Sequence, residues 1–305
     1  MITALAGGVG AARFLTGLIQ LVKQEDLTIV VNTGDDVEFF GLHVSPDIDI
    51  VTYTLAGIVN NVQGWGVEGD TFECLSMLKR FDEIDWFNLG DKDFAASILR
   101  SKMLKNGASL SQVSAKISHA LGLRLKILPM TDDKFSTYVQ TPEGTIHFEE
   151  YLVKRAARDV VLGVEFIGMG TAMPATGVVE SILDSERVII CPSNPVVSIG
   201  AILSVSGIRE SLRKTNAVKV AVSPIIGGTP VKGPADKLLR GLGLEVSAFG
   251  VAQLYADFLD VFVIDSVDVA EKCRIEQLGV KVVVVDTLMR DLASKTALAK
   301  VVLDV

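Results

Sequence analysis

GGVGAARF, residues 7–14, follows the short apolar run Ile2 to Leu5, and the reading of this junction decides the fold. ITAL (2–5) and TIVV (28–31) have the apolar density of buried parallel strands, and Ala11 to Lys23 between them carries apolar residues at helical spacing. Strand, glycine turn, helix and strand make a βαβ unit. At such a turn the missing side chains let backbone approach a phosphate, and the helix start aims its N–H groups at it. Gly7, Gly8 and Gly10 occupy that place, although small residues also make ordinary strand-to-helix bends. GGVGAA is a weak match to the dinucleotide fingerprint, and it lacks the Gly-Lys-Ser/Thr ending of a P-loop.

The rest of the chain extends this unit. Residues 56–123 read as mostly helical, with glycine-rich and charged interruptions and no convincing strand, so they look like an insertion between core segments 1–55 and 124–305. KILPM (126–130), STYVQ (136–140) and TIHF (145–148) read as strands that resume the sheet, the last two forming a hairpin around Pro142-Glu143-Gly144. VIICP (188–192), KVAVSP (219–224), VFVID (261–265) and VKVVVVD (280–286) follow, with helix-like stretches between them. The expected fold is α/β: a Rossmann-like, mostly parallel open sheet with helices on both faces and a mainly helical insertion.

Composition narrows the function classes. A chain of 305 residues with 49% hydrophobic content buries a large core, and its apolar runs are strand-sized, so no transmembrane helix is expected. The first cation is Arg13, which leaves no basic start for a secretory leader and points to a cytoplasmic protein. Cys74, Cys191 and Cys273 match no metal-ligand spacing and read as incidental thiols. A net charge of -8 without a basic run argues against nucleic acid as the partner, whereas small anions remain possible if glycine turns, a few cations or a metal neutralise them.

NTGDD (32–36) ends the second strand, and SPDID (45–49) follows. A Rossmann coenzyme site offers one acid to a ribose; Asp35, Asp36, Asp47 and Asp49 are too many for that. Carboxylates are hard oxygen donors, and Mg²⁺ is held by one or two of them while phosphates and waters complete its shell. Asp35 and Asp36 are therefore candidate metal ligands. The bland alternative is that these aspartates cap turns and helix starts, with Asp47 and Asp49 serving a helix that begins near Ile50. If residues 47–49 were already helical, the two side chains would point apart.

Further candidates lie downstream. LGDKDFAASILRS (89–101) sets Asp91 as a plausible N-cap and Lys92 beside a helix start, while Arg100 reads as a solvated face residue. Trp65 in WGVEGDTF (65–72) could close over a planar ring, or simply belong to the core. CPSNPVVSIG (191–200) supplies Ser193 and Asn194, and SPIIGGTPVKGPADKLL (223–239) supplies Gly227, Gly228 and Lys232, both as rigid donor-rich loops beyond strand ends. His43, His119 and His147 read as surface or hairpin residues, and no catalytic constellation for nicotinamide chemistry is visible.

GGVGAARF, NTGDD, SPDID, GWGVEGDTF, LGDKD, LPMTDD, PSNPVVSIG, SPIIGGTPVKGPA and DTLM occur in an order and spacing that resembles the 2-phospho-L-lactate transferase (CofD-like) family over nearly the whole chain. The resemblance implies Mg²⁺-dependent phosphoryl-lactyl transfer in biosynthesis of the deazaflavin coenzyme F(420). The donor is a guanosine-diphosphate-linked lactate, enolpyruvate or glyceryl analogue, the acceptor is the deazaflavin Fo, and GMP leaves. It further implies guanosine diphosphate against Gly7, Gly8 and Gly10, with Ser193, Asn194, Gly227, Gly228 and Lys232 nearby, and metal at Asp35 and Asp36. Asp47 or Asp49 would accept or orient the acceptor hydroxyl proton, and Trp65, Asp91 and Lys92 would join Asp49 around Fo. Two departures are Lys92, where relatives often carry Arg, and Phe94-Ala95-Ala96-Ser97, where many carry a His. Non-catalytic nucleotide-sugar-binding regulators of the same superfamily are the alternative. The apolar stretch Val251 to Phe262 could support a homodimer.

Overall fold

The computed structural model describes residues 1–81 and 86–305. β1 (Ile2–Ala6) and β2 (Leu27–Val31) pair in parallel, Ile2 opposite Leu27, and helix α1 (Gly8–Leu18) crosses between them. A hairpin, β3 (Val37–Phe39) and β4 (Leu42–Val44), leads into α2 (Pro46–Leu55), α3 (Glu73–Lys79), α4 (Asp91–Lys105) and α5 (Leu110–Ala120). Then come β5 (Lys126–Pro129), β6 (Ser136–Thr141), β7 (Gly144–His147) and β8 (Gly163–Ile167). The chain continues through β9 (Arg187–Ile190), β10 (Val218–Val222), the short hairpin β11 (Ile225–Ile226) and β12 (Thr229–Pro230), β13 (Val261–Asp265) and β14 (Lys281–Val285).

Seven strands form one parallel sheet in the order β14-β13-β10-β9-β1-β2-β5. The chain moves outward from β1 through β2 to β5, then returns to β9 on the other side of β1 and moves outward again. The reversal lies between β1 and β9, where an open α/β sheet leaves a crevice beyond its carboxyl ends. The strands are apolar on both faces because both are covered. Leu5, Val30, Ile190 and Phe262 belong to one core with Ile182 and Leu212, while Ala4, Ile29, Ile189 and Val263 belong to the other with Phe14 and Leu298. No described helix is long and apolar enough to cross a membrane.

Three expectations are corrected. The hairpin at 136–147 does not extend the central sheet; β6 pairs with β7 and with β8 in a separate antiparallel sheet of three strands. The helix expected near Ile50 begins at Pro46, because proline is pre-set for a first helical turn. Arg100 is 1% exposed and points inward from α4. Val251, Tyr255, Phe258 and Phe262 are buried in this chain's own core, while Gln253, Asp257 and Asp260 of the same stretch are exposed.

Gly17 seats α1 against the C-terminal helix Leu292–Asp304: a Cβ there would stand 2.3 Å from the backbone of Lys295. Helix propensity favours alanine over glycine by about 1 kcal/mol, but overpacking against backbone costs about 1–3 kcal/mol, so the clash decides the sign. Gly17→Ala should lose about 1–2 kcal/mol in urea unfolding, and an unchanged or raised midpoint would refute the seating.

Candidate active site

Beyond the carboxyl ends of the strands lies a cavity of about 860 Å³, walled by the loops after β1, β2, β9, β10 and β14 and by residues 148–153 after β7. Its floor is the first glycine turn. A Cβ on Gly7 would stand 2.7 Å from Asp47 Oδ2, and one on Gly10 would stand 2.2 Å from the Pro192 carbonyl oxygen. Gly8 adopts φ +71, a left-handed conformation that other residues reach at a cost. The Gly7 N–H donates to Ser193 Oγ at 3.1 Å, which ties the turn to the loop after β9. No side chain caps α1, so its first turn offers N–H groups and a positive dipole end toward the cavity. Arg13 and Lys232 line it as well, close enough that Arg13 helps to depress the Lys232 ammonium pKa.

The same cavity is also acidic. Asn32 organises it: its Nδ2 donates to Asp47 Oδ2 at 2.9 Å, and its Oδ1 accepts from the Gly34 N–H at 2.8 Å. Asp35 follows, buried against the cavity, with Oδ1 left without a partner. Burial drives its carboxyl well above the ordinary range, and Asp47 and Glu149 add to the rise. Burial pushes Asp47 up to about 6 against the opposing Asn32 bond. Asp93 is pushed by burial to about 6, and Glu149 by burial, Asp47 and Asp36 to about 8.

The structure separates the candidate residues. Asp35 lines the cavity, whereas Asp36 is not among its lining residues: its Oδ2 accepts from Ser45 Oγ at 2.7 Å and lies 2.8 Å from His43 Nε2. Asp47 and Asp49 share the first turn of α2 and diverge, Asp47 toward the Gly7–Gly8 turn and Asp49 into an ion pair with Arg100. Burial raises the Asp49 carboxyl, opposed by the Arg100 guanidinium. Asp91 faces away from the cavity and caps α3, accepting from Thr71 Oγ1 at 2.5 Å and the Cys74 N–H at 3.0 Å. Lys92 Nζ donates to the carbonyls of Glu68 and Gly69, at 2.8 and 3.3 Å, so neither residue reaches the cavity. Trp65 does line it, as do Gly7, Gly8, Gly10, Ser193, Asn194 and Lys232. Gly227 and Gly228 do not; they turn the β11–β12 hairpin, and the Gly227 N–H donates to Asp268.

Sequence reasoning missed Arg13 as a site residue, and it missed Asp93, Glu149 and Thr287. DTLM contains Thr287, and FEE at 148–150 puts two carboxylates directly after a strand, which was the one local signal for Glu149. Among the described residues no three His, Cys, Asp or Glu side chains form a ready metal cage. Mg²⁺ needs none, since one or two carboxylates and a bound phosphate hold it, and the unpartnered oxygen of Asp35 beside Asp47 fits that hard-donor requirement.

Residues 2–302 match the family model described as 2-phospho-L-lactate transferase CofD. The chain is 41% identical over 297 residues to the 2-phospho-L-lactate transferase of Methanosarcina mazei, covering 97% of each. It is 42% identical over 309 residues to the phosphoenolpyruvate transferase of Kitasatospora aureofaciens, covering 99% of this chain and 96% of that one. In fold it is similar to a UPF0052 family protein from Bacillus halodurans, with a TM-score of 0.67 at 15% identity, covering 99% of this chain and 98% of that one.

Between its ordinary value of 4.5 and about 8, Glu149 binds a proton in the folded chain that it has released in the unfolded one. Its contribution to stability is therefore lost as pH rises through that window. Relative to Glu149→Gln, the wild type should lose about 2 kcal/mol of unfolding free energy between about pH 6 and about pH 8 in metal-free urea titrations. Parallel curves for the two proteins would contradict the burial of this carboxyl.

Proposed function

We propose, on the premise that this chain belongs to the 2-phospho-L-lactate transferase CofD family, that it transfers a phospholactyl or phosphoenolpyruvyl group from a guanosine-diphosphate-linked donor to the hydroxyl of the deazaflavin Fo. GMP is released, and the reaction uses Mg²⁺. The observation that carries the reading is the lining of one cavity, which joins the glycine turn and the start of α1, with Arg13 and Lys232, to the carboxylates of Asp35, Asp47 and Glu149. The relatives bearing the two transferase names are almost equally similar, so identity leaves both donor acids in play.

The donor's diphosphate suits the Gly7–Gly10 turn, where the α1 dipole and backbone N–H groups stabilise anions and Arg13 and Lys232 offset the remaining charge. Asp35 and Asp47 would hold Mg²⁺. Held there, Mg²⁺ would supply Lewis-acid neutralisation of phosphoryl charge. Asn32 keeps Asp47 aimed at the turn, and the Arg100–Asp49 pair locks α2 to α4 behind it. Trp65, Phe87, Phe148 and Leu152 give the cavity an apolar side suited to a planar ring. The reaction asks mainly for alignment and charge neutralisation, and these fixed groups supply both.

Purified protein with Mg²⁺, Fo and each candidate donor should yield a phosphodiester and GMP by mass spectrometry. Asp35→Asn should lower turnover by about 100-fold or more, the scale expected for losing a stabiliser of transition-state charge, and change the Mg²⁺ dependence. Wild-type turnover in that variant at every Mg²⁺ concentration would remove Asp35 from the reaction.

A further inference from the structure

Most carboxylates of the site are already engaged. Asp47 accepts from Asn32, Asp49 pairs with Arg100, Asp93 accepts from the Gly90 N–H, and Asp36 is held by Ser45 and His43. Asp35 and Glu149 remain. No hydrogen bond or ion pair from a described residue reaches the Glu149 carboxylate, which is 5% exposed and lines the cavity. The ionisable groups near it are the carboxylates of Asp35, Asp36 and Asp47, and its hairpin neighbour His147, whose Nδ1 accepts the Glu149 N–H. It enters from the separate antiparallel sheet, on a chain segment different from the one that brings Asp35 and Asp47.

The backbone is built to hold it there. The Glu149 N–H donates to His147 Nδ1 at 3.2 Å. One turn of π-helix, Glu150–Lys154, follows at once, and such turns are rare and concentrate at functional sites. Ala156 and Ala157 then adopt φ +50 and +51, a conformation costly for alanine. The fold enforces it: the Ala157 N–H donates to the Tyr151 carbonyl at 2.8 Å, and Lys237 Nζ donates to the Ala157 carbonyl. Phe148 and Leu152 flank Glu149 on the cavity wall, so the carboxylate sits beside apolar surface.

We propose that Glu149 is a catalytic residue that accepts the proton of the acceptor hydroxyl, facing a cation held by Asp35 and Asp47 without joining its ligands. This rests on the transfer reaction proposed above. A cation held by Asp35 and Asp47 would offset the neighbouring carboxylates and favour the ionised form of Glu149, and as the hydroxyl oxygen forms its bond to the β-phosphorus, its proton passes to a Glu149 carboxylate oxygen. The bond from phosphorus to the bridging oxygen breaks, and its electron pair leaves with GMP. Glu149 then returns the proton to solvent. Asp47 and Asp49 are less suited to that task because their oxygens already accept protein hydrogen bonds.

The test compares wild type, Glu149→Gln and Glu149→Asp in steady-state transfer, in Mn²⁺ binding followed by electron paramagnetic resonance, and in thermal unfolding. Glu149→Gln should fold, bind Mn²⁺ within about threefold of wild type, keep its KM for Fo within about threefold, and lose about 100-fold or more in kcat. Glu149→Asp, which keeps the carboxylate one methylene short, should fall between the two and guards against a folding defect in the glutamine variant. Wild-type kcat in Glu149→Gln would overturn the assignment, and so would a collapse of Mn²⁺ affinity, which would make Glu149 a metal ligand. Wild type inactive with every donor, yet binding Mn²⁺, would overturn the transfer reading and this inference with it.

Discussion

The site depends on one close approach. The start of α1 lies so near the loop after β9 that a Cβ on Gly10 would meet the Pro192 carbonyl at 2.2 Å, and a Cβ on Gly7 would meet both Asp47 and Ser198. These contacts fix where α1 points, because a helix cannot pivot about a turn clamped on both sides. They also bring the two halves of the sheet together at the reversal between β1 and β9, so the carboxyl ends of both halves open onto one volume. A larger side chain at Gly10 would press on the Pro192 carbonyl, and one at Gly7 would displace the Asp47 carboxylate and Ser198 that line the cavity.

Around that volume the charges are sorted. Backbone donors come from the turn after β1, the cations from α1 (Arg13), from beyond β12 (Lys232) and from beyond β14 (Arg290), and the carboxylates from the turn after β2, from α2, from α4 and from the segment after β7. Concentrating buried carboxylates destabilises the chain, as the upward shifts of Asp35, Asp47 and Glu149 show. Buried carboxylates with raised pKa values gathered in one cavity mark it as a functional-site candidate. Asn32 and Arg100 limit the cost by giving Asp47 and Asp49 partners, and they aim those side chains in different directions.

Much of the fold was legible because strands buried on both faces and glycine turns between strand and helix are local signals. The seven strands of the central sheet were readable in that way; the membership of the 136–147 hairpin was not. Its second neighbour, β8, reads GVEFI and alternates buried and exposed positions weakly, and nothing local says which sheet a hairpin will join. The site was legible where it follows strand ends, as at Gly7, Asp35 and Ser193. It was hidden where chemistry depends on distant partners: Arg100 looks like a surface cation until Asp49 is placed beside it, and Glu149 looks like a hairpin acid until its segment folds inward. Asp91 and Lys92 carried a convincing helix-start pattern, yet their bonds run to residues 68–74 and hold that loop in place.

Thr287 sits just past the last strand, its N–H and hydroxyl donating to Asp265 at 2.8 and 3.0 Å, while Gly7 sits just past the first. Both contribute to the same cavity wall although nearly the entire polypeptide separates them. A chain lacking β14 and the turn after it would therefore present an incomplete pocket. A ligand bridging the Gly7 turn and Thr287 would clasp the edge strand β14 to the centre of the sheet, resisting the fraying to which an outermost strand is most prone.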